Sequence, residues 1–319
     1  MNKGILYAVA AYTTWGLMPI YWKTLHGLPA TEIMSHRIVW SLVFLALILT
    51  IRKHWRWLGT AVKNKRIMLT FLLSATALAL NWGTYIWGVN HNHVVETSLG
   101  YFINPLVSVL LGVLFLRERL RHGQWVAIAI AAGGVLYLTA LYGALPWISL
   151  TLAFSFGSYG LIRKTAPLGA LEGLSLEMGL LFLPALGYLL YLDQSGGSAF
   201  AHAGWQTSLI LAGSGVATAV PLLWFGLAAR RIPLATIGIL QYIAPSIQLL
   251  LGIFLYNEPF SPAQLVGFCL IWSALFIYSV EGMLHKAPGA SQDTIGEFMS
   301  TTGRCEGDES EWVVDKKQP

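Results

Sequence analysis

Ser98 to Leu138 reads SLGYFINPLVSVLLGVLFLRERLRHGQWVAIAIAAGGVLYL, and Gly238 to Tyr278 reads GILQYIAPSIQLLLGIFLYNEPFSPAQLVGFCLIWSALFIY. The two align without a gap at an offset of about 140 positions: Pro105 falls on Pro245, Gly112 on Gly252, Glu118 on Glu258 and Gln124 on Gln264. What changes is charge at one helix end, where Arg117, Arg119 and Arg121 become Asn257, Pro259 and Ser261. Short loops on the cytoplasmic side of a membrane collect Lys and Arg, and the opposite loops do not. A duplicated unit that loses its basic loop therefore reads as a copy inserted upside down, the arrangement common in alternating-access carriers.

Composition supports a membrane chain. Residues are 55% hydrophobic and 11% charged, mean hydropathy is +0.61, and apolar runs near the length of a bilayer core recur from Gly4 to about Glu281. The net charge of +5 sits in short inter-helix loops, so it argues for membrane orientation and against a nucleic-acid partner. Cys269 and Cys305 have neither metal spacing nor the makings of a disulfide framework. Met1 to Trp22 has no small-residue cleavage site and is read as an uncleaved first span.

The expected fold is all-α and integral to the membrane, with ten transmembrane helices at about 4–22, 33–51, 67–89, 94–116, 124–142, 148–162, 171–192, 205–228, 234–256 and 262–281. Loops after the second, fourth, sixth and eighth spans carry Arg or Lys, and those after the third, fifth, seventh and ninth carry none. That alternation places both termini in the cytoplasm. Five spans per half force the halves into opposite orientations: a first repeat over 1–143 and an inverted second over 144–287. Residues 288–319 are polar and aperiodic, as a disordered cytoplasmic tail would be.

Corresponding helix interruptions point to a transporter's site. Pro105 and Pro245 lie mid-span, and each leaves the carbonyl four residues earlier, Tyr101 or Gln241, without its donor. Pro19 and Pro221 are further candidate hinges. Around them the polar and aromatic residues share helix faces: Tyr12 and Trp15 on the first span, Asn81 and Tyr85 on the third, Tyr101 and Asn104 on the fourth. The second half offers Phe154 and Ser158, then Thr218 and Trp224, then Gln241 and Gln248. These twelve are the candidate solute-binding residues. Amides in hydrocarbon need partners, whereas small residues also serve helix packing. Glu32, His36, Arg37 and Glu177 are ionisable at membrane depth. Glu32 reads as a helix cap paired with Arg37, Glu177 as a titrating or pairing group, and Glu118 and Glu258 as loop pins that accept neighbouring backbone donors.

Hydrolase, nucleotide-binding and metalloprotease motifs are missing, no cofactor or metal is implied, and an enzyme is not expected. At YTTWGLMPIYWK (Tyr12–Lys23), EIMSHRIVWS (Glu32–Ser41), NWGTYIWGVN (Asn81–Asn90), ETSLGYFINPL (Glu96–Leu106), LIRK (Leu161–Lys164) and QYIAPSIQLLLGIFLYNEP (Gln241–Pro259), the chain resembles the RarD family of drug/metabolite transporters with EamA-type repeats. The resemblance implies a ten-helix bacterial inner-membrane carrier whose cavity is lined by spans one, three, four, six, eight and nine. It also implies export of amino-acid-like metabolites, or of drugs such as chloramphenicol, to which members are linked by name. A nearly charge-free aromatic pocket suits an uncharged, zwitterionic or flat amphipathic solute. A sensor or scaffold would account for the spans, but not for paired broken helices around buried amides. Internal repetition makes a monomer sufficient, though a dimer is compatible.

Overall fold

Helices occupy nearly every stretch that the apolar pattern marked, and there is no strand among the described residues, which are 2–91, 93–142, 147–200, 202–256 and 262–284 of a computed structural model. The first half contains α1 (Lys3–Lys23), α2 (Ala30–Ile51), α3 (Arg56–Lys63), α4 (Lys65–Asn90), α5 (Val94–Leu116) and α6 (His122–Tyr142). The second contains α7 (Trp147–Thr165), α8 (Ala170–Gln194), α9 (Trp205–Ala229), α10 (Leu234–Gln241), α11 (Ile243–Tyr256) and α12 (Pro262–Leu284). The expected tail and the Glu258 loop lie outside the described residues. Met1–Ser279 forms one unit, and a second begins at Val280 within the last turns of α12.

Eight segments are long and apolar enough to cross a bilayer: α2, α4, α5, α6, α8, α9, the α10–α11 pair and α12. The chain is thus a multi-pass membrane protein. Of the ten expected spans, α1 and α7 are the two whose hydropathy falls short. Both carry small, hydroxylated and aromatic residues (Thr13, Thr14, Trp15 and Gly16; Ser155, Gly157, Ser158 and Tyr159) and face protein, where a helix need not be uniformly apolar. The unforeseen element is α3, an eight-residue amphipathic helix inside the basic loop, anchored by buried Ala61.

The halves interlock. α1 packs on α9 and α11, α2 on α8 and α9, α4 on α7 and α8, and α5 on α7 and α10. The buried core accordingly joins Tyr12, Leu45 and Leu78 of the first half to Tyr159, Leu174, Leu222 and Phe225 of the second. The division near residue 143 is therefore one of sequence, while burial of apolar surface runs across it.

Side chains tie the basic loops together at one end. His54 meets Glu172 at 2.7 Å, Lys164 lies 3.9 Å from Glu118, and Arg230 donates to the carbonyls of Ala166 and Leu168. Lys164 also donates to the carbonyls of Ala229 and Ile232, closing the C-terminus of α9. At the other end, the Tyr21 hydroxyl donates to Ile210 O, and Thr31 and Tyr188 share a 2.7 Å hydrogen bond. The loops that follow α2, α5, α7 and α9 thus share one face of the bundle.

Glu118 is a long-range helix cap. Arg117 ends α5 in the left-handed conformation (φ 53°), which turns the next residue back toward the bundle. The Glu118 carboxylate then accepts from Leu234 N (2.6 Å) and Ala235 N (2.9 Å), the first amides of α10. Those amides have no intrahelical partner, and the α10 dipole favours an anion there. Because the cap at Pro233 has no side-chain acceptor of its own, Glu118→Ala is expected to cost about 1 kcal/mol. Thermal unfolding of the purified protein checks this, with Glu118→Asp as a partial rescue.

The paired prolines behave differently. Helix α5 continues through Pro105, whereas the second copy divides at Tyr242, so only one of the two expected interruptions is a break. The continuous helix is braced by the broken one. The Tyr242 hydroxyl donates to Phe102 O (3.2 Å), beside the Tyr101 carbonyl that Pro105 deprives of a donor. Gly238 also passes so near that a Cβ there would lie 2.5 Å from Pro105 O. Pro19, Pro184 and Pro221 likewise sit within unbroken helices.

Candidate functional site

Arg37 lies two turns into α2 and is partly accessible. Its Nε donates to the Thr218 hydroxyl (2.9 Å), and its guanidinium sits 4.9 Å from the ring of Trp22 and 4.7 Å from that of Trp82. Tyr85 and Tyr101, whose rings meet edge-on at 6.0 Å, are close enough for their phenols to feel its charge. These two tyrosines are each 39% exposed. Arg37, Tyr85 and Tyr101 are thus the partly accessible members of this cluster. Given the helix directions, Trp22, Trp82, Tyr85, Tyr101 and Arg37 all lie toward the end away from the basic loops. Two depressions, at the α3–α4 turn and on α12 around Cys269 and Trp272, are open surface features without these residues.

Toward the basic loops the path is filled. Tyr12, Trp15, Phe156, Tyr159 and Phe225 form a continuous aromatic cluster, with ring centroids 5.3 to 6.4 Å apart. Below it is a buried ionic group. Glu177 accepts from Ser74 (2.6 Å), Tyr159 (3.3 Å) and Arg163 (3.4 Å), and Arg163 also donates to Ala170 O (2.9 Å). Arg163 is 1% and Glu177 0% exposed. Gly173 makes room: a Cβ there would fall 2.0 Å from Arg163 Nη1.

The expected site residues separate into several places. Tyr85, Tyr101 and Thr218 meet around Arg37, while Tyr12 and Trp15 join the aromatic cluster. Asn81 ties α4 to α7, donating to Leu152 O (2.9 Å) and Ser155 Oγ (3.1 Å). Gln248 donates to the Trp15 carbonyl (3.2 Å). Asn104 and Gln241 are buried, each with an amide oxygen that lacks a protein partner. Trp224 packs against the core and Ser158 is half-buried. Phe154 is 46% exposed without a ring contact; Phe156 takes the place expected for it, because two residues on a helix point about 200° apart.

The ionisable residues also correct the sequence reading. Glu32 does not pair with Arg37. It accepts from Ala199 N (2.7 Å) and lies 4.0 Å from His36, whose ring stacks on Phe200. Residues i and i+5 on a helix point in different directions, whereas i and i+4 share a face. Arg37 is therefore turned toward Thr218, Trp22 and Trp82, among residues expected to be nearly charge-free. Glu177 is the pairing group, and its partner Arg163 went unnoticed because it looked like one more basic loop residue. Trp22 and Trp82 were missed as site residues as well; both lie inside the quoted motifs, but Trp near a helix end reads first as an interfacial anchor.

Residues 2–140 match the EamA-like transporter family. The chain is 49% identical over 282 residues to Protein RarD of Streptomyces exfoliatus, covering 88% of this chain and 90% of that one. It is 47% identical to the uncharacterized transporter YojE of Bacillus subtilis (strain 168), covering 91% and 98%. A solved crystal structure at 16% identity shares the fold, with a TM-score of 0.66 over 88% of this chain and 98% of the other. Helical architecture, spanning segments and relatives agree: the chain belongs to the EamA-like transporter family, among proteins of the RarD type.

Proposed function

We propose that this protein is a secondary carrier moving a small organic solute across the bacterial inner membrane by alternating access. In this reading it has ten spans, two inverted five-helix repeats and cytoplasmic termini, and one chain suffices. The observation that carries the proposal is the partly accessible cluster around Arg37 toward the end away from the basic loops, with the aromatic cluster and the buried Arg163–Glu177 pair on the side toward them. A solute site open to one side only is what one half of such a cycle requires, and a channel would need a continuous path. By the positive-inside rule the open side is the outer one. The interruption at Tyr242 and the Pro105–Gly238 crossing, where the two halves touch, are the points about which the repeats would rock.

Two measurements test this. In a variant lacking Cys269 and Cys305, Tyr101→Cys should react with a membrane-impermeant maleimide from the outside, and Phe225→Cys should not. In vesicles loaded with excess unlabelled solute, saturable counterflow of the labelled solute is expected. Uptake that never saturates and shows no trans-stimulation across a metabolite panel would reject the carrier.

A further inference from the structure

We infer that Arg37 is the recognition point for a carboxylate on the solute. The inference rests on the carrier reading only for the fate of what binds, not for the binding itself. A guanidinium cannot shed its charge by losing a proton, so at membrane depth it needs a partner. The other cations within the bundle have one. Arg163 has Glu177 and the Ala170 carbonyl, Lys164 has Glu118 and two helix-end carbonyls, and Arg230 has two loop carbonyls. Arg37 has a neutral hydroxyl on Nε and two tryptophan faces. Among the described residues its terminal nitrogens meet no hydrogen-bond acceptor and no carboxylate. Glu32, the one acid on its helix, is engaged with Ala199 and His36.

Thr218 and the flanking indoles therefore hold the guanidinium plane while leaving Nη1 and Nη2 to something that the described residues do not provide. Two parallel N–H donors match the two oxygens of a carboxylate. No second described cation joins Arg37: Lys23, at the same end, lies over the ring of Tyr256. A single positive charge suits a monocarboxylate better than a phosphate dianion. Trp22, Trp82, Tyr85 and Tyr101 supply a flat apolar lining for the rest of the molecule.

The test is thermal unfolding of the purified full chain with acetate, butyrate, benzoate or phenylacetate, each beside its primary amide, and with inorganic phosphate. At least one acid should raise the midpoint by about 2 °C or more, with its amide inactive. Arg37→Gln should weaken binding of that acid by at least about thirtyfold, and Arg37→Lys, which keeps the charge but not the fork, should retain part of the affinity. Equal shifts from acid and amide, a shift that survives Arg37→Gln, a larger response to phosphate, or no response to any acid by folded protein would each overturn the inference. The acid–amide comparison uses the wild type and does not depend on a variant folding. Failure of the carrier reading is separate: carboxylates would still bind through Arg37 but show no counterflow.

Discussion

Arg163→Ala is expected to destabilise the protein by about 3–5 kcal/mol, the cost of leaving a buried charge without its partner. In this variant Glu177 would keep only the hydroxyls of Ser74 and Tyr159, at full burial. The Ala170 carbonyl, at the start of α8, would lose its donor as well. Glu177→Ala should be of similar size, for the mirror reason. Replacing both residues together by Met and Leu of comparable volume should be much milder than either single change, because no charge is then stranded. The cycle is read from the unfolding midpoints of the four purified proteins and the fraction of each recovered from membranes. A double variant as damaged as the sum of the singles would mean that the pair acts independently, and that the contact has no net coupling. A stable double variant that no longer gives counterflow would place the pair in closing the inner end rather than in holding the fold.

Gly215→Ala is expected to destabilise the protein by about 3 kcal/mol, the upper end for overpacking. A Cβ at this position would lie 2.2 Å from the carbonyl carbon of Trp40 and 2.5 Å from the nitrogen of Ser41. Both are backbone atoms, so no rotamer change relieves the clash and α2 must move away from α9. The same movement would lengthen the hydrogen bond from Ser41 Oγ to Gly215 O (3.0 Å) and pull Thr218 from Arg37. Close backbone contact through small residues is how membrane helices associate where lipid offers no hydrophobic drive. Gly179→Ala, on a helix position with nothing within 4 Å of the added carbon, is the matched control and should leave the midpoint unchanged or slightly raised. A Gly215→Ala midpoint within 1 °C of that control would show that the α2–α9 seam accommodates the methyl.

The helices, their approximate ends and the alternation of basic and uncharged loops were legible in the chain because each depends on local composition: apolar runs long enough for a bilayer, and Lys or Arg in the turns between them. The candidate residues were legible only as a set. A helical face can be read from spacing, but whether it meets a cavity, a neighbouring helix or lipid depends on which helix lies opposite. That is why Asn81 proved to be a tie to α7 and Phe156 replaced Phe154 in the aromatic cluster. The partners that matter are far apart in sequence: Ser74 and Glu177, Arg37 and Thr218, Glu118 and Leu234. Arg37 shows the division most clearly. Its presence in an apolar span marked it as unusual, but only the packing of α2 against α9, with Trp22 of α1 and Trp82 of α4 alongside, decided that it meets Thr218 and two indoles rather than Glu32. The pairing of a buried charge is settled by three-dimensional proximity, on which spacing along one helix sets only weak limits.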